Sequence, residues 1–157
     1  MLHTVRLTQL MLAAALAATA TGASALTGDP TGNWSGTIKC AGVSSGVPKF
    51  SSTANASMTI DGDRAAVYAL VEPWILYGVA YVPDVGNPAN RGTLGFFAAD
   101  VPDVWQETGQ AKIERARDGK VSLDGKSYVL FSLAGSIASG FCEWKLNKTS
   151  DTPSELP

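Results

Sequence analysis

The chain has 157 residues, a formal net charge of −2 and a single histidine, His3. Its 12 Lys+Arg and 14 Asp+Glu are scattered singly along the sequence, without the basic run of a nucleic-acid footprint or a polybasic membrane segment. Its length suits one domain large enough to bury a core.

His3 and Arg6 precede an apolar run over 10–18, and Ala23-Ser24-Ala25 fits a small-x-small cleavage site. The run is too short to cross a bilayer, so residues 1–25 are predicted to be a cleaved secretory signal. No cysteine stands directly after the site, where Leu26 is found, which argues against a lipoprotein. Residues 26–157 would then be periplasmic or secreted, with a net charge near −3 and no membrane span after signal cleavage. In an oxidising compartment the two cysteines, Cys40 and Cys142, have one intramolecular pairing open to them.

The first predicted strand is 33–40. Trp34, Gly36, Ile38 and Cys40 alternate with Asn33, Ser35, Thr37 and Lys39, the period-two signature of a half-buried strand. A Gly/Ser/Pro loop is predicted over 41–48. Residues 50–60 alternate again, with Phe50, Ala54, Ala56, Met58 and Ile60 on one face. Asp61-Gly62 is a hairpin signal. Residues 64–71 return as a strand that Glu72-Pro73 breaks. Residues 74–82 are nearly all apolar, which suits a strand buried on both faces or a contact with a membrane or partner. Residues 83–90 are rich in turn formers and form the longest predicted loop.

Residues 91–99 form a further strand, and 100–103 turn the chain. Residues 104–107 read as a helical turn or an extended connector, and 110–117 alternate again. Asp118-Gly119 and Asp124-Gly125 bracket a short predicted strand, 120–123. Strands over 128–134 and 137–148 follow, with Gly135-Ser136 between them. Residues 149–157 are polar, carry two prolines and are predicted to be a disordered tail.

Eight or nine short strands without an amphipathic helix predict an all-β domain over 26–148. Cys142-Glu143-Trp144-Lys145-Leu146 alternates in the same way as the first strand. If the two strands pair antiparallel with Cys40 opposite Cys142, Ile38 faces Trp144 and Gly36 faces Leu146. A slip of one residue would place Glu143 and Lys145 on the apolar face. This register closes an antiparallel up-and-down β-barrel of about eight strands and removes its edges. The alternative is a β-sandwich with the disulfide bridging two sheets.

With His3 in the signal, Ser-His-Asp and Cys-His catalysis and histidine metal sites are excluded. Gly42-Val43-Ser44-Ser45-Gly46 matches G-x-S-x-G, but that motif needs a strand-turn-helix setting and a histidine, so it reads as a loop. No cofactor or metal site is predicted. Carboxylates at Glu72, Asp84, Asp100, Asp103 and Glu107 leave a hydrolase open as the third reading, although most adjoin prolines or turns. Trp34 and Trp144 are assigned to the core. The candidate binding residues are Trp105 as an exposed aromatic, Trp74 and Tyr77 on opposite faces of one strand, and Asp84, Asn87 and Arg91 around the 83–90 loop. A small barrel either fills its interior or holds one ligand. Small residues such as Ala54, Ala56, Gly78, Ala80, Gly95 and Ala98 would leave room inside or relieve crowding at bends.

The Thr31-Gly32-Asn33-Trp34 start resembles the G-x-W opening of lipocalin and avidin barrels. The lipocalin resemblance implies a basic residue of the last strand packed against that tryptophan, and Lys148 shares the face of Trp144. Gly32 to Cys40 together with Cys142-Glu143-Trp144 resembles small secreted bacterial β-barrel proteins with a G-x-W-x-G-x-x-x-C opening and a C-x-W closing strand. That resemblance implies architecture and compartment only. The functional expectation is a non-catalytic binding module for a small apolar ligand or an extracytoplasmic protein. The alternative is a protein inhibitor or accessory factor acting through the 83–90 loop.

Overall fold

The structure is a computed structural model that describes residues 26–44, 47–69, 74–100, 105–133 and 136–157. Eight strands form one closed antiparallel up-and-down barrel. They are β1 (Gly32–Ser44), β2 (Val47–Asp61), β3 (Arg64–Tyr68), β4 (Trp74–Pro83), β5 (Arg91–Asp100), β6 (Trp105–Arg115), β7 (Val121–Leu133) and β8 (Ser136–Ser150). Among the described residues there is no helix. The signal-peptide segment, 1–25, lies outside the described residues.

The closing seam has the predicted register. Cys40 faces Cys142, Ile38 faces Trp144 and Gly36 faces Leu146. Cys40 and Cys142 form the disulfide, with Cα atoms 4.1 Å apart. A barrel closed this way has no free edge at its first or last strand.

Alternation sorts the wall. Inward positions such as Trp34, Ile38, Met58, Leu94, Ile113, Leu123, Trp144 and Leu146 are buried. Trp144 is the centre of the core. Its ring meets Phe96 and Trp74 edge-on, at centroid distances of 5.5 and 6.3 Å, and its indole N–H donates to Ser127 Oγ at 2.8 Å. Edge-on contacts match the quadrupoles of the rings.

Several elements differ from expectation. Asp124-Gly125 is not a turn but lies inside β7, which merges the two strands predicted on either side of it. Gly125 sits there because the wall is tight: a Cβ on it would lie 2.6 Å from the Cβ of Ala111. Asp61-Gly62 and Asp118-Gly119 do turn the chain, with positive φ at both glycines. The loop predicted over 41–48 is mostly strand, because residues 41–44 pair with both β2 and β8. Partner strands supply what the Gly/Ser composition lacks in β-propensity. Residues 104–107 are extended rather than helical where described, with Trp105–Glu107 opening β6. Gly78, Ala80 and Gly95 do not line the interior: Gly78 and Ala80 are exposed, and Gly95 has open space over it. The strand-breaking Glu72-Pro73 and the 101–103 part of the predicted turn lie outside the described residues.

The strands run alternately up and down, so the wall has two ends. The connections at one end are 45–46, 69–73, 101–104 and 134–135. The opposite end is plugged by residues 26–31. Trp34 donates its indole N–H to Pro30 O at 2.9 Å. The Lys148 ammonium, wholly buried, donates to Asp29 O at 2.6 Å and pairs with Asp151 at 2.5 Å. It also lies 5.6 Å from the centre of the Trp34 ring, a cation–π contact and the pairing that the G-x-W resemblance implied. The terminal segment predicted as a tail from 149 begins inside β8 and stays tied to the barrel. Ser154 N–H donates to Asn33 Oδ1, and Asn33 Nδ2 donates to Thr152 O.

The Asp151 carboxyl answers to this plug. Burial opposes its ionisation, but hydrogen bonds from Lys148 and from the Thr27 hydroxyl and amide hold it below the usual carboxylate range. A depressed value stabilises the fold above the unfolded-state value, near 4, and that contribution disappears as pH falls through the folded value. Stability should therefore fall on acidification below about pH 4. Asp151→Asn should be less stable than wild type at neutral pH and converge with it in acid. Urea midpoints at neutral and acid pH measure this, and a constant gap between the two proteins would refute it.

Candidate functional site

The predicted site residues divide between the two ends of the barrel. Trp74 and Tyr77 lie in the half of β4 nearest the 69–73 connection. They occupy opposite faces as expected, Trp74 packed on Trp144 and Tyr77 exposed. Trp105 starts β6 opposite Asp100, but its side chain lies outside the described residues. Asp84, Asn87 and Arg91 are at the plugged end, so they form no joint site with the tryptophans.

There the 84–90 loop is built on its own backbone. Asn87 N–H donates to Asp84 O at 3.1 Å, and Asn90 and Arg91 N–H donate to Asn87 O at 3.1 and 3.0 Å. Arg91 pairs with Glu114, and Val85 projects fully into solvent. Nearby, the Tyr81 hydroxyl is buried with no hydrogen-bond partner among the described residues. Burial, reinforced by the charges of Asp29 and Asp84, holds this phenol above its usual range.

Of the five candidate carboxylates, the two described, Asp84 and Glu107, do not converge. Glu72 and Asp103, and the Asp100 side chain, lie outside the described residues, and Asp84 is at the far end from Glu107. Glu107 itself is 2% exposed, on the inner wall between the Cα partners Ala98 and Val129. Its burial was readable by extending the Ala111, Ile113 face back through Gly109. Ser45 and Gly46 of the G-x-S-x-G match are outside the described residues, and Gly42–Ser44 are strand. Among the described residues no cluster of His, Cys, Asp and Glu forms a metal site.

Sequence reasoning did not find the most distinctive feature, an aromatic row on the outer wall. Across the hydrogen-bonded register Tyr77 faces Phe97, Phe97 faces Thr108, Thr108 faces Tyr128, and Tyr128 faces Phe141. The four aromatics are 46–62% exposed. Tyr77, the first of them, faces out beside the buried Leu76, and the left-handed φ of +56° at the following Gly78 coincides with a register shift in β4, after which Val79 and Tyr81 turn inward. Nearer the 45–46 and 134–135 connections, Leu130, Ile137 and Val43 extend the row with further exposed apolar surface.

Two polar rows lie directly below the aromatic one. In the first, Glu143 has Lys126 and Lys39 as Cα partners. In the second, Asp124 has Lys112 and Lys145. A shallow depression of about 230 Å³ between β7 and β8 is lined by Lys126, Lys145, Asp124 and Glu143, with Gly125 and Trp144 at its floor. It lies on the outside of the wall and carries both signs of charge.

The chain matches no protein-family model, no curated protein and no solved structure. The reading of function rests on the geometry. The disulfide fits an extracytoplasmic protein. No helix among the described residues is long and apolar enough to cross a membrane.

Proposed function

We propose that this chain is an extracytoplasmic, non-catalytic binding module, released to the periplasm or outside the cell by cleavage of residues 1–25, and that it binds through the outer wall of its barrel. The outward row of Tyr77, Phe97, Tyr128 and Phe141 carries this reading. Single exposed hydrophobics are ordinary, whereas a run across neighbouring strands marks a contact surface. The plugged end and the rings packed around Trp144 support an outside site over an enclosed ligand. The chemistry agrees, because residues 26–157 contain no histidine and both cysteines are joined.

A photo-crosslinking residue at position 141 or 128 should give adducts in the extracytoplasmic fraction of the source cell, and one at Asn55 on the opposite wall should not. Equal adducts from both walls, or a stoichiometric small molecule held by the purified protein in native mass spectrometry, would overturn the reading.

A second reading is an inhibitor acting through the 84–90 loop, favoured by the internal bonding of that loop and by the full exposure of Val85. It requires Val85→Asp to abolish partner binding while the aromatic row stays intact.

A further inference from the structure

We propose that the surface engaged by the aromatic row is an anionic phospholipid bilayer, contacted peripherally at the lipid–water interface; this rests on the outer-wall reading above. The order of the rows carries the proposal. Aromatic side chains stand at the boundary, the aliphatic Leu130, Ile137 and Val43 lie beyond them toward one end, and lysines lie one and two rows behind. Amphipathic rings favour the headgroup level, apolar side chains favour the acyl boundary, and ammonium groups on long stems remain among the headgroup phosphates.

Charge selects the occupant. The chain as a whole is net negative, yet the two rows behind the aromatics hold Lys39, Lys112, Lys126 and Lys145 against only Asp124 and Glu143. All four lysines are exposed. Each acid lies between two lysines, so each trio keeps a net positive charge. The negative surface potential of anionic lipid complements that excess. A second copy does not, because a two-fold interface sets the same patch against itself and brings the lysine surplus of both copies together. A convex wall also meets yielding headgroups along the whole row, where a rigid partner would touch fewer strands.

The contact is peripheral. Strands of 10–15 residues, as in β1, β2 and β4–β8, are long enough to span, contrary to the expectation of short strands. However, the charged rows occupy the wall where a spanning barrel carries its lipid-facing apolar band.

The test is vesicle sedimentation of the purified, disulfide-intact protein. Phosphatidylglycerol vesicles should carry the wild type down, and phosphatidylcholine vesicles should not. High salt should weaken the binding, as screening requires. Tyr128→Ser with Phe141→Ser should reduce binding at least about tenfold, and Lys126→Gln with Lys145→Gln should abolish the preference for phosphatidylglycerol. All four side chains are exposed, so the variants should keep the wild-type urea midpoint. Val85→Ser, an exposed apolar change in the loop at the plugged end, should leave binding unchanged. Wild type remaining in the supernatant with phosphatidylglycerol would overturn the lipid proposal, as would equal sedimentation of the aromatic variant. So would a dimer in sedimentation equilibrium that Phe141→Ser dissolves. None of these results depends on the crosslinking at 128 and 141, which separately tests whether the outer wall is the site.

Discussion

Replacing Cys40 and Cys142 together with alanine should cost about 4–5 kcal/mol of unfolding free energy. The bond links residues 102 apart in sequence, so it removes more chain entropy from the unfolded state than a short loop would. It also joins β1 to β8, the pairing with the longest separation in the fold. Without the bond, closing the seam carries the full loop-closure entropy of strands 102 residues apart. Two-state domains hold about 5–15 kcal/mol in total, so the loss should leave the barrel marginal at physiological temperature. Urea unfolding of the double variant beside the oxidised wild type measures it. A loss below about 1 kcal/mol would mean that the unfolded chain already keeps its two ends together, as a denatured state with residual structure does.

The seam was legible because its constraints agreed. The alternation of 33–40, the alternation of 142–146 and one cysteine on each apolar face admit a single register, and the structure has it. Where only local signals were present, reading was less secure. Asp124-Gly125 has the composition of a turn, but its neighbours are strands far away in sequence, and the close approach of Ala111 is invisible until those strands are placed. That error hid the aromatic row. Phe141 faces out simply because it adjoins the inward Cys142. Tyr128 can be placed beside it only when β7 is known to run unbroken through Gly125. The pairing of Tyr77 with Phe97 depends in turn on the register shift at Gly78. A surface assembled from several strands thus becomes readable only after the long-range pairing is known, whereas core positions declare themselves one strand at a time.

Trp144→Ala should destabilise the barrel by about 3–5 kcal/mol, and the manner of the loss separates two roles of the indole. The ring is 1% exposed and fills the space between Phe96 on β5 and Trp74 on β4, across the barrel from its own strand. Removing it leaves a cavity in a closed wall, which cannot collapse as freely as the edge of an open sheet. The N–H is a separate matter. Ser127→Ala leaves the ring in place but strips the buried donor of its acceptor, which should cost about 1–3 kcal/mol. Trp144→Phe restores most of the apolar volume and removes the donor, so it should recover a large part of the Ala loss. In the Phe background Ser127→Ala should be nearly neutral, because no indole N–H remains to be orphaned. A double-mutant cycle over these variants by urea unfolding measures the coupling. Full additivity would show that the hydrogen bond contributes nothing specific and that Trp144 acts only by volume. Because Lys126 and Lys145 lie beside Ser127 and Trp144 on β7 and β8 but on the exposed face, the same variants should leave vesicle binding intact as long as the barrel stays folded, which separates the core that holds the wall in shape from the surface the wall presents.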